Sequence, residues 1–250
     1  MFSIVKCLRG PGGSLNFDYY AYTAIVKTRT TDLLCGGAII APRWVITAAN
    51  CVPRNDRSYY QIKCGSQHLK DTDDVIVANV IQVYRHPHYD PANQNNNNIA
   101  LLHLDTVVDR EPCQSIKLAR SFPEINQDKK ISVDFSGWGS IDKSSEPKPS
   151  DIIRRFAANI LKQNDCQNRH QNKPIFVNNF CTSLPGYDPN FIYGACAKDN
   201  GDPIVVKRFP NITLIGINSE NGCNTFEFPE INTNVLAYRP WIRDTTKLIL

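Results

Sequence analysis

Short apolar and alternating runs dominate the chain, and polar turn residues separate them. Clusters of Gly, Pro, Asn and Asp lie between the runs, which is the pattern of an antiparallel all-β protein. The runs that predict strands cover residues 59–64, 75–84, 99–104, 204–206 and 212–217.

Helical spacing appears in two places. Pro240 suits a first helical turn, and the apolar residues that follow continue with helical spacing, so we predict a C-terminal helix over about 238–250. A second short helix is predicted over 151–164. The tract 93–98 consists of Asn and Gln and is expected to form a surface loop.

Composition and charge exclude two classes of partner. Hydrophobic residues make up 42% of the 250 residues, but no run of 18 apolar residues exists, so we expect no membrane partner. The formal net charge is +4, and no block of five or more basic residues occurs, which argues against nucleic acid and against polyanions of the heparin type. The N-terminus lacks the long apolar stretch of a signal peptide, so a mature form is expected.

The cysteines indicate an oxidising compartment. The chain has nine of them and no C-x-x-C pair, which disfavours zinc and thioredoxin-type sites and favours disulfides in a secreted, extracellular protein. Asn211 begins the one N-x-S/T sequon and is a candidate glycosylation site, in agreement with secretion.

Five segments resemble, in order, the signature segments of trypsin-like serine proteases. They are CGGAIIAPRWVITAANC (35–51), YRHPHYDPANQNNNNIALLHL (84–104), SGWGS (136–140), CAKDNGDPIVV (196–206) and TNVLAYRPWI (233–242). The resemblance implies an all-β, chymotrypsin-like fold of two six-stranded antiparallel β-barrels with a C-terminal helix. It predicts a single homology domain over 1–250, with barrel halves at roughly 15–118 and 119–235.

The resemblance also implies disulfides and reacting positions. Three bridges common in the family are expected, namely Cys35–Cys51, Cys166–Cys181 and Cys196–Cys223. Cys7, Cys64 and Cys113 are left over. Because three is an odd number, at least one of them is free or pairs between chains.

All three positions of the family's catalytic triad carry amides. Asn50 stands at the histidine position, Asn98 at the aspartate position and Asn200 at the serine position. An amide cannot act as a general base near neutral pH, and it is not a practical nucleophile. The sequence therefore predicts a protein that is not an enzyme.

The positions that support catalysis differ as well. Lys198 takes the place of the glycine whose N–H helps to form the oxyanion hole, and its Cβ is expected to oppose the backbone conformation required there. Asp202 replaces a second glycine of the nucleophile loop. Asp199 is retained, and it matches the aspartate that pairs with the freed N-terminal amine in activated relatives.

The expected specificity (S1) pocket is altered at four positions. Gly194 stands where trypsins carry an aspartate, and Glu230 stands where a glycine keeps the pocket open. Glu220 and Asn221 replace the usual Trp and Gly of the pocket wall. We therefore expect Glu230 to fill or block the slot.

No metal and no cofactor is expected. His86 and His88 are metal ligands by type, but no carboxylate or cysteine spacing supports such a site, and the resemblance makes them loop residues.

These features favour a pseudoprotease that binds host proteins. The substituted triad and the changed oxyanion glycine resemble the scabies mite inactivated protease paralogues, which are related to the group 3 mite allergens. Members of that group are secreted and interfere with host complement, so complement components are the expected partners. The loops expected to contact a partner are 93–98, 143–150 and 173–176. Two alternatives remain open: a non-catalytic cofactor of an active protease cascade, and an active hydrolase with atypical machinery.

Overall fold

The computed structural model describes ten stretches of the chain, and the fold is described from these alone. They are residues 20–29, 34–93, 95–124, 130–140, 148–171, 173–183, 195, 198–208, 211–220 and 229–250.

The first half of the chain folds into a closed antiparallel barrel of six strands. They are β1 Thr23–Thr28, β2 Leu34–Ala41, β3 Trp44–Thr47, β4 Tyr60–Cys64, β5 Ile76–Arg85 and β6 Ala100–Leu104. The strand order is β1-β2-β3-β6-β5-β4. Side chains such as Ile39, Ile62 and Leu102 are fully buried and fill the barrel, as the alternating sequence pattern requires.

The second half forms a second antiparallel barrel. Its strands are β8 Ser132–Gly137, β9 Arg154–Ile160, β10 Asn179–Ser183, β11 Pro203–Arg208, β12 Asn211–Glu220 and β13 Glu230–Asn234. They follow the order β11-β8-β9-β10-β13-β12, and a further pairing of β11 with β12 closes the ring. The short strand β7, Lys117–Leu118, pairs with β12 in parallel and so belongs to the second sheet. The sequence placed these two residues in the first barrel half, which was predicted to end at 118.

The helices in the described stretches are short. They comprise α1 Gln163–Arg169, α2 Arg239–Thr246 and the 3₁₀ helices Ala49–Cys51, Arg57–Tyr59, Pro91–Asn93 and Val235–Tyr238. Helix α2 lies within the predicted C-terminal helix, with Pro in its first turn, and it ends where Lys247 adopts a left-handed conformation. None of the helices in the described stretches has the length and apolarity needed to cross a membrane.

The prediction of a helix over 151–164 was wrong. Most of this segment forms β9, which pairs with β8 at six positions from Arg154 to Asn159, and α1 begins only at Gln163. The hydrogen bonds and cross-strand contacts of this ladder outweigh the intrinsic helix propensity of residues such as the two alanines in RRFAANI.

Three disulfides lie among the described residues of the barrels. Cys35–Cys51 and Cys166–Cys181 are present as expected, and Cys64 pairs with Cys113, two of the three cysteines that the sequence left unassigned. The third, Cys7, and the predicted Cys196–Cys223 bridge lie outside the described residues.

Candidate functional site

Asn50 and Asn98 meet at the edge of the first barrel. Asn50 lies in the 3₁₀ helix that follows β3, and the Cys35–Cys51 bridge fixes this helix against β2. The backbone N–H of Asn50 donates a hydrogen bond to the side-chain Oδ1 of Asn98 at 3.0 Å. This contact joins the backbone of Asn50 to the side chain of Asn98, and it requires no proton transfer.

Asn98 also joins the two barrels. It is completely buried just before β6, and its Nδ2 donates to Oγ of Ser219 on β12 at 2.8 Å. The hydroxyl of Thr233 on β13 donates to the Asn98 carbonyl at 3.0 Å. An amide can accept from Asn50 and donate to Ser219, whereas a carboxylate only accepts. The hydrogen-bonding capacity of this buried position is thus met without a charge.

Asn200 lies opposite, in the turn that leads into β11. Its backbone carbonyl accepts the N–H of Gly36 at 2.8 Å, and this carbonyl oxygen lies 3.4 Å from the bridged sulfur of Cys51, which follows Asn50. The structure therefore brings the three asparagines into one region between the barrels. The buried Oδ1 atoms of Asn50 and Asn200 have no hydrogen-bond partner among the described residues. An unpaired buried acceptor of this kind costs about 1–3 kcal/mol.

The turn around Asn200 keeps a left-handed backbone at two residues. Lys198 has φ of 77° and Gly201 has φ of 83°. Lys198 adopts this glycine-favouring conformation in spite of its Cβ, at a cost of about 1–2 kcal/mol. At Gly201 no side chain fits, since a Cβ would lie 2.4 Å from the carbonyl oxygen of Gly36.

Two buried carboxyl groups lie beneath this turn. Asp199 accepts the N–H of Gly139 at 2.8 Å, and the side chain of Asp202 fills the space between Gly36 and Gly137. A Cβ on either of these two glycines would lie 1.6 Å from an Asp202 oxygen. Burial, and then the charge and hydrogen bond of Asp199, raise the pKa of Asp202 well above its ordinary value. Burial therefore favours the protonated form of Asp202.

Glu230 directs a third buried carboxyl group into the second barrel. The side chain is 5% exposed, the hydroxyl of Thr182 donates to its Oε2 at 3.1 Å, and the backbone N–H of Ala195 donates to its Oε1. Burial raises the pKa of Glu230 to about 8, although both hydrogen bonds oppose that shift. The carboxyl group is thus mainly neutral at pH 7, and it lies against the residue that follows Gly194.

Glu220 connects segments from the two halves of the chain beside the region of the three asparagines, which we call the cleft. Its carboxylate forms an ion pair with Lys173 and accepts a hydrogen bond from Nδ2 of Asn95. Asn95 is itself buried, and its carbonyl accepts Nδ2 of Asn179 at 2.9 Å. The loop before β6 is therefore tied to the segment before β10. The sequence identified Glu220 but gave no sign of these partners.

The comparisons with known proteins identify the family. The sequence profile of the family described as Trypsin matches residues 13–242. The chain belongs to the trypsin family. Mouse kallikrein-8 is 29% identical over 223 residues, covering 85% of this chain and 77% of the relative. Trypsin 5G1 of Aedes aegypti is 27% identical over 219 residues, covering 86% and 76%.

Other relatives differ in length. The urokinase-type plasminogen activator of Gallus gallus is 28% identical over 227 residues, covering 85% of this chain but 51% of the relative, so the chain spans about half of that protein. Among solved structures, mouse neuropsin, described as a serine protease expressed in the limbic system, matches with a TM-score of 0.76 and 25% identity. That match covers 92% of this chain and 96% of neuropsin.

The trypsin-family motifs place the reacting groups in the region where Asn50, Asn98 and Asn200 meet. Glu230 stands at the glycine of the expected pocket, and its carboxyl group points to Ala195. Gly194 and Asn221, the other two altered pocket positions, lie outside the described residues.

The histidines and cysteines add no metal site in the part of the chain that the structure describes. His86 packs edge-on against His88, Tyr238 and Trp241. Cys166, His170 and Cys181 lie close together, but the two sulfurs are joined in a disulfide, so neither is available as a thiolate ligand.

Proposed function

We propose that this trypsin-family chain is a catalytically inactive pseudoprotease that acts by binding other proteins. The observation that carries the proposal is the set of three asparagines at the triad positions. They lie on an intact scaffold with the Asn50–Asn98–Ser219 hydrogen bonds in place. An amide has no useful pKa for proton transfer and is a poor nucleophile, and in active relatives loss of the triad removes about a millionfold in turnover.

The state of the cleft supports the same proposal. Glu230 lies buried against Ala195, and Glu220 connects Lys173 with Asn95 across the cleft. A peptide substrate would have to displace both groups of contacts. Binding of a partner is therefore assigned to the outer surface.

The proposed partners are host proteins, with complement components first among them. Support comes from the residues at the triad positions and from Lys198, because this pattern resembles that of the scabies mite inactivated protease paralogues. We place the protein outside the cell, because three disulfides hold the described fold and such bridges persist in oxidising compartments.

Two assays test the proposal together. In the first, the protein is mixed with a panel of acyl esters under burst conditions, and we expect no burst of hydrolysis above the uncatalysed background. In the second, the protein is added to human serum in a haemolysis assay, and we expect inhibition without cleavage of any complement component. Active-site-blocked neuropsin serves as a control for the fold alone.

Each outcome decides a separate part. No inhibition at micromolar protein would refute the complement assignment, and a burst or cleaved complement components would refute inactivity. Equal inhibition by blocked neuropsin would show that the effect belongs to the fold and not to this chain.

A further inference from the structure

Strand β5 exposes apolar side chains where an antiparallel barrel normally presents polar ones. Its outward positions carry Val77, Ile81 and Tyr84, which are 45%, 37% and 36% exposed. They are three of the seven large hydrophobic side chains that are exposed among the described residues, so such side chains are concentrated on this one strand. A strand with one solvated face usually alternates apolar and polar residues, and this face departs from that rule.

A β-bulge increases the exposure. The register between β5 and β6 shifts between Val80 and Gln82, which leaves Ile81 without a partner in the ladder. Ile81 and Gln82 are both exposed as a result. The carbonyl of Ile81 accepts a hydrogen bond from the guanidinium group of Arg57 at 3.1 Å instead.

Aromatic rings beside the bulge form a stacked cluster. Trp44 lies parallel to His103 with ring centroids 4.5 Å apart and contacts Tyr84 at 5.8 Å. The three residues are on the neighbouring strands β3, β6 and β5. Stacked rings lose little conformational entropy when a partner covers them, which is a property of interface anchors.

Three arginines surround this apolar centre and contact neutral groups. Arg57 binds the Ile81 carbonyl, Arg85 binds the carbonyl of Pro53 and the side chain of Asn55, and Arg54 lies over the ring of Tyr59 at 4.4 Å. Within the described stretches, none of the three arginines forms an ion pair with a carboxylate. Their side chains are therefore held in place by neutral groups.

Asp56 lies between these arginines but is engaged elsewhere. Its carboxylate accepts both the N–H and the hydroxyl of Ser58, and these bonds, followed by the charges of Arg54 and Arg57, lower its pKa. One carboxylate among three guanidinium groups leaves a positive rim around the aromatic and aliphatic centre.

We infer that this face binds an acidic polypeptide surface. The centre of the contact consists of Trp44, Ile81 and Tyr84, and its rim consists of Arg54, Arg57 and Arg85. We call these six residues the β5 surface. Trp, Tyr and Arg are the residues most enriched among binding hot spots, and guanidinium groups pair with carboxylates in bidentate geometry. The exposed apolar centre favours a polypeptide over a sulfated polysaccharide, which would need the charges alone.

The inference rests on the proposed role as a protein binder and names its surface. The predicted contact loops are less suited to this role, because Asn95 and Asn98 are buried and Lys173 is engaged by Glu220. Residues 141–147 lie outside the described part of the chain.

The test measures binding of a fluorescein-labelled random copolymer of glutamate and tyrosine by fluorescence anisotropy. We compare the parent protein with the Arg54→Glu/Arg57→Glu and Ile81→Ser/Tyr84→Ser variants. The matched controls are Arg120→Glu/Arg169→Glu, which makes the same charge change at exposed sites elsewhere, and Val177→Ser. Melting temperatures establish that each variant is folded.

We expect each β5-surface variant to weaken binding by about tenfold or more and each control by less than about twofold. Affinity should fall as salt is raised. Three results would overturn the inference: no binding by the folded parent protein, equal losses in the control variants, or equally tight binding of heparin that Ile81→Ser/Tyr84→Ser leaves unchanged. Because the copolymer replaces complement, this readout stands even if the haemolysis assay fails.

Discussion

Replacing Glu230 with glutamine should stabilise the protein, and more so as the pH rises. The folded-state pKa of Glu230 is about 8, against an ordinary value of 4.5. The folded protein therefore holds a proton that the unfolded chain releases between about pH 4.5 and pH 8, so Glu230 makes stability fall as the pH rises through this window.

The size of the effect follows from the same two pKa values. Their difference, about 8 minus 4.5, corresponds at about 1.4 kcal/mol per pH unit to roughly 5 kcal/mol over the full window. About 3 kcal/mol of this is lost by pH 7, which for a chain of this size is a shift of roughly 10 °C in melting temperature.

Glutamine suits the site because it reproduces the neutral carboxyl group. Its carbonyl oxygen can accept the N–H of Ala195, and its amide can donate to the hydroxyl of Thr182. The Thr182 oxygen already accepts Nδ2 of Asn232 at 3.0 Å, and its second lone pair remains for this contact. The Glu230→Gln substitution should therefore remove the contribution of Glu230 to the pH dependence without a cavity, with one hydrogen bond from the amide to Thr182 replacing the one that Thr182 donates to the carboxyl group.

The assay is the melting temperature of the parent protein and of Glu230→Gln from about pH 5 to about pH 8.5. Asp202, whose pKa is raised by burial, is present in both proteins, so its contribution cancels in the difference between them. Glu220→Gln is the control, because it removes a carboxylate of the same cleft that is partly exposed and paired with Lys173. Parallel curves for the parent and Glu230→Gln across this range would show that the buried carboxyl group does not hold its proton.

Two further predictions concern the triad and the sequon. The variant Asn50→His/Asn98→Asp/Asn200→Ser restores the triad residues. It should remain inactive towards peptide esters, because Lys198 still opposes stabilisation of the oxyanion and Glu230 still opposes binding of the substrate. Measurable turnover by the folded variant would refute this. Asn211, which is exposed at the start of β12, should carry a glycan after expression in a eukaryotic secretory host. Peptide N-glycosidase should then lower the mass of the parent protein but not that of Asn211→Gln, and a parent mass that the enzyme leaves unchanged would contradict the prediction.

Local patterns predicted the barrels well but could not reveal contacts between distant segments. The runs at 59–64, 75–84 and 99–104 became β4, β5 and β6 with small shifts at their ends, because alternation along a strand is a local property. Glu220 pairs with Lys173, which is 47 positions away. No periodicity in the sequence encodes such a contact.

The cysteines and β9 show the same limit. Spacing alone left Cys64 and Cys113 unassigned, because several pairings fit an odd set, and only the fold brings those two sulfurs together. In β9, pairing with β8 decided the conformation against the helix that the residues themselves favour.

The triad region keeps structural contacts although amides occupy its three reacting positions. Asn98 keeps a hydrogen bond to the N–H of Asn50 and another to Ser219, so this buried position still joins the barrels without a charge to bury. The buried Oδ1 atoms of Asn50 and Asn200 have no hydrogen-bond partner in the part of the chain that the structure describes, which is a cost in stability. The scaffold tolerates this cost because three disulfides and two closed barrels hold it.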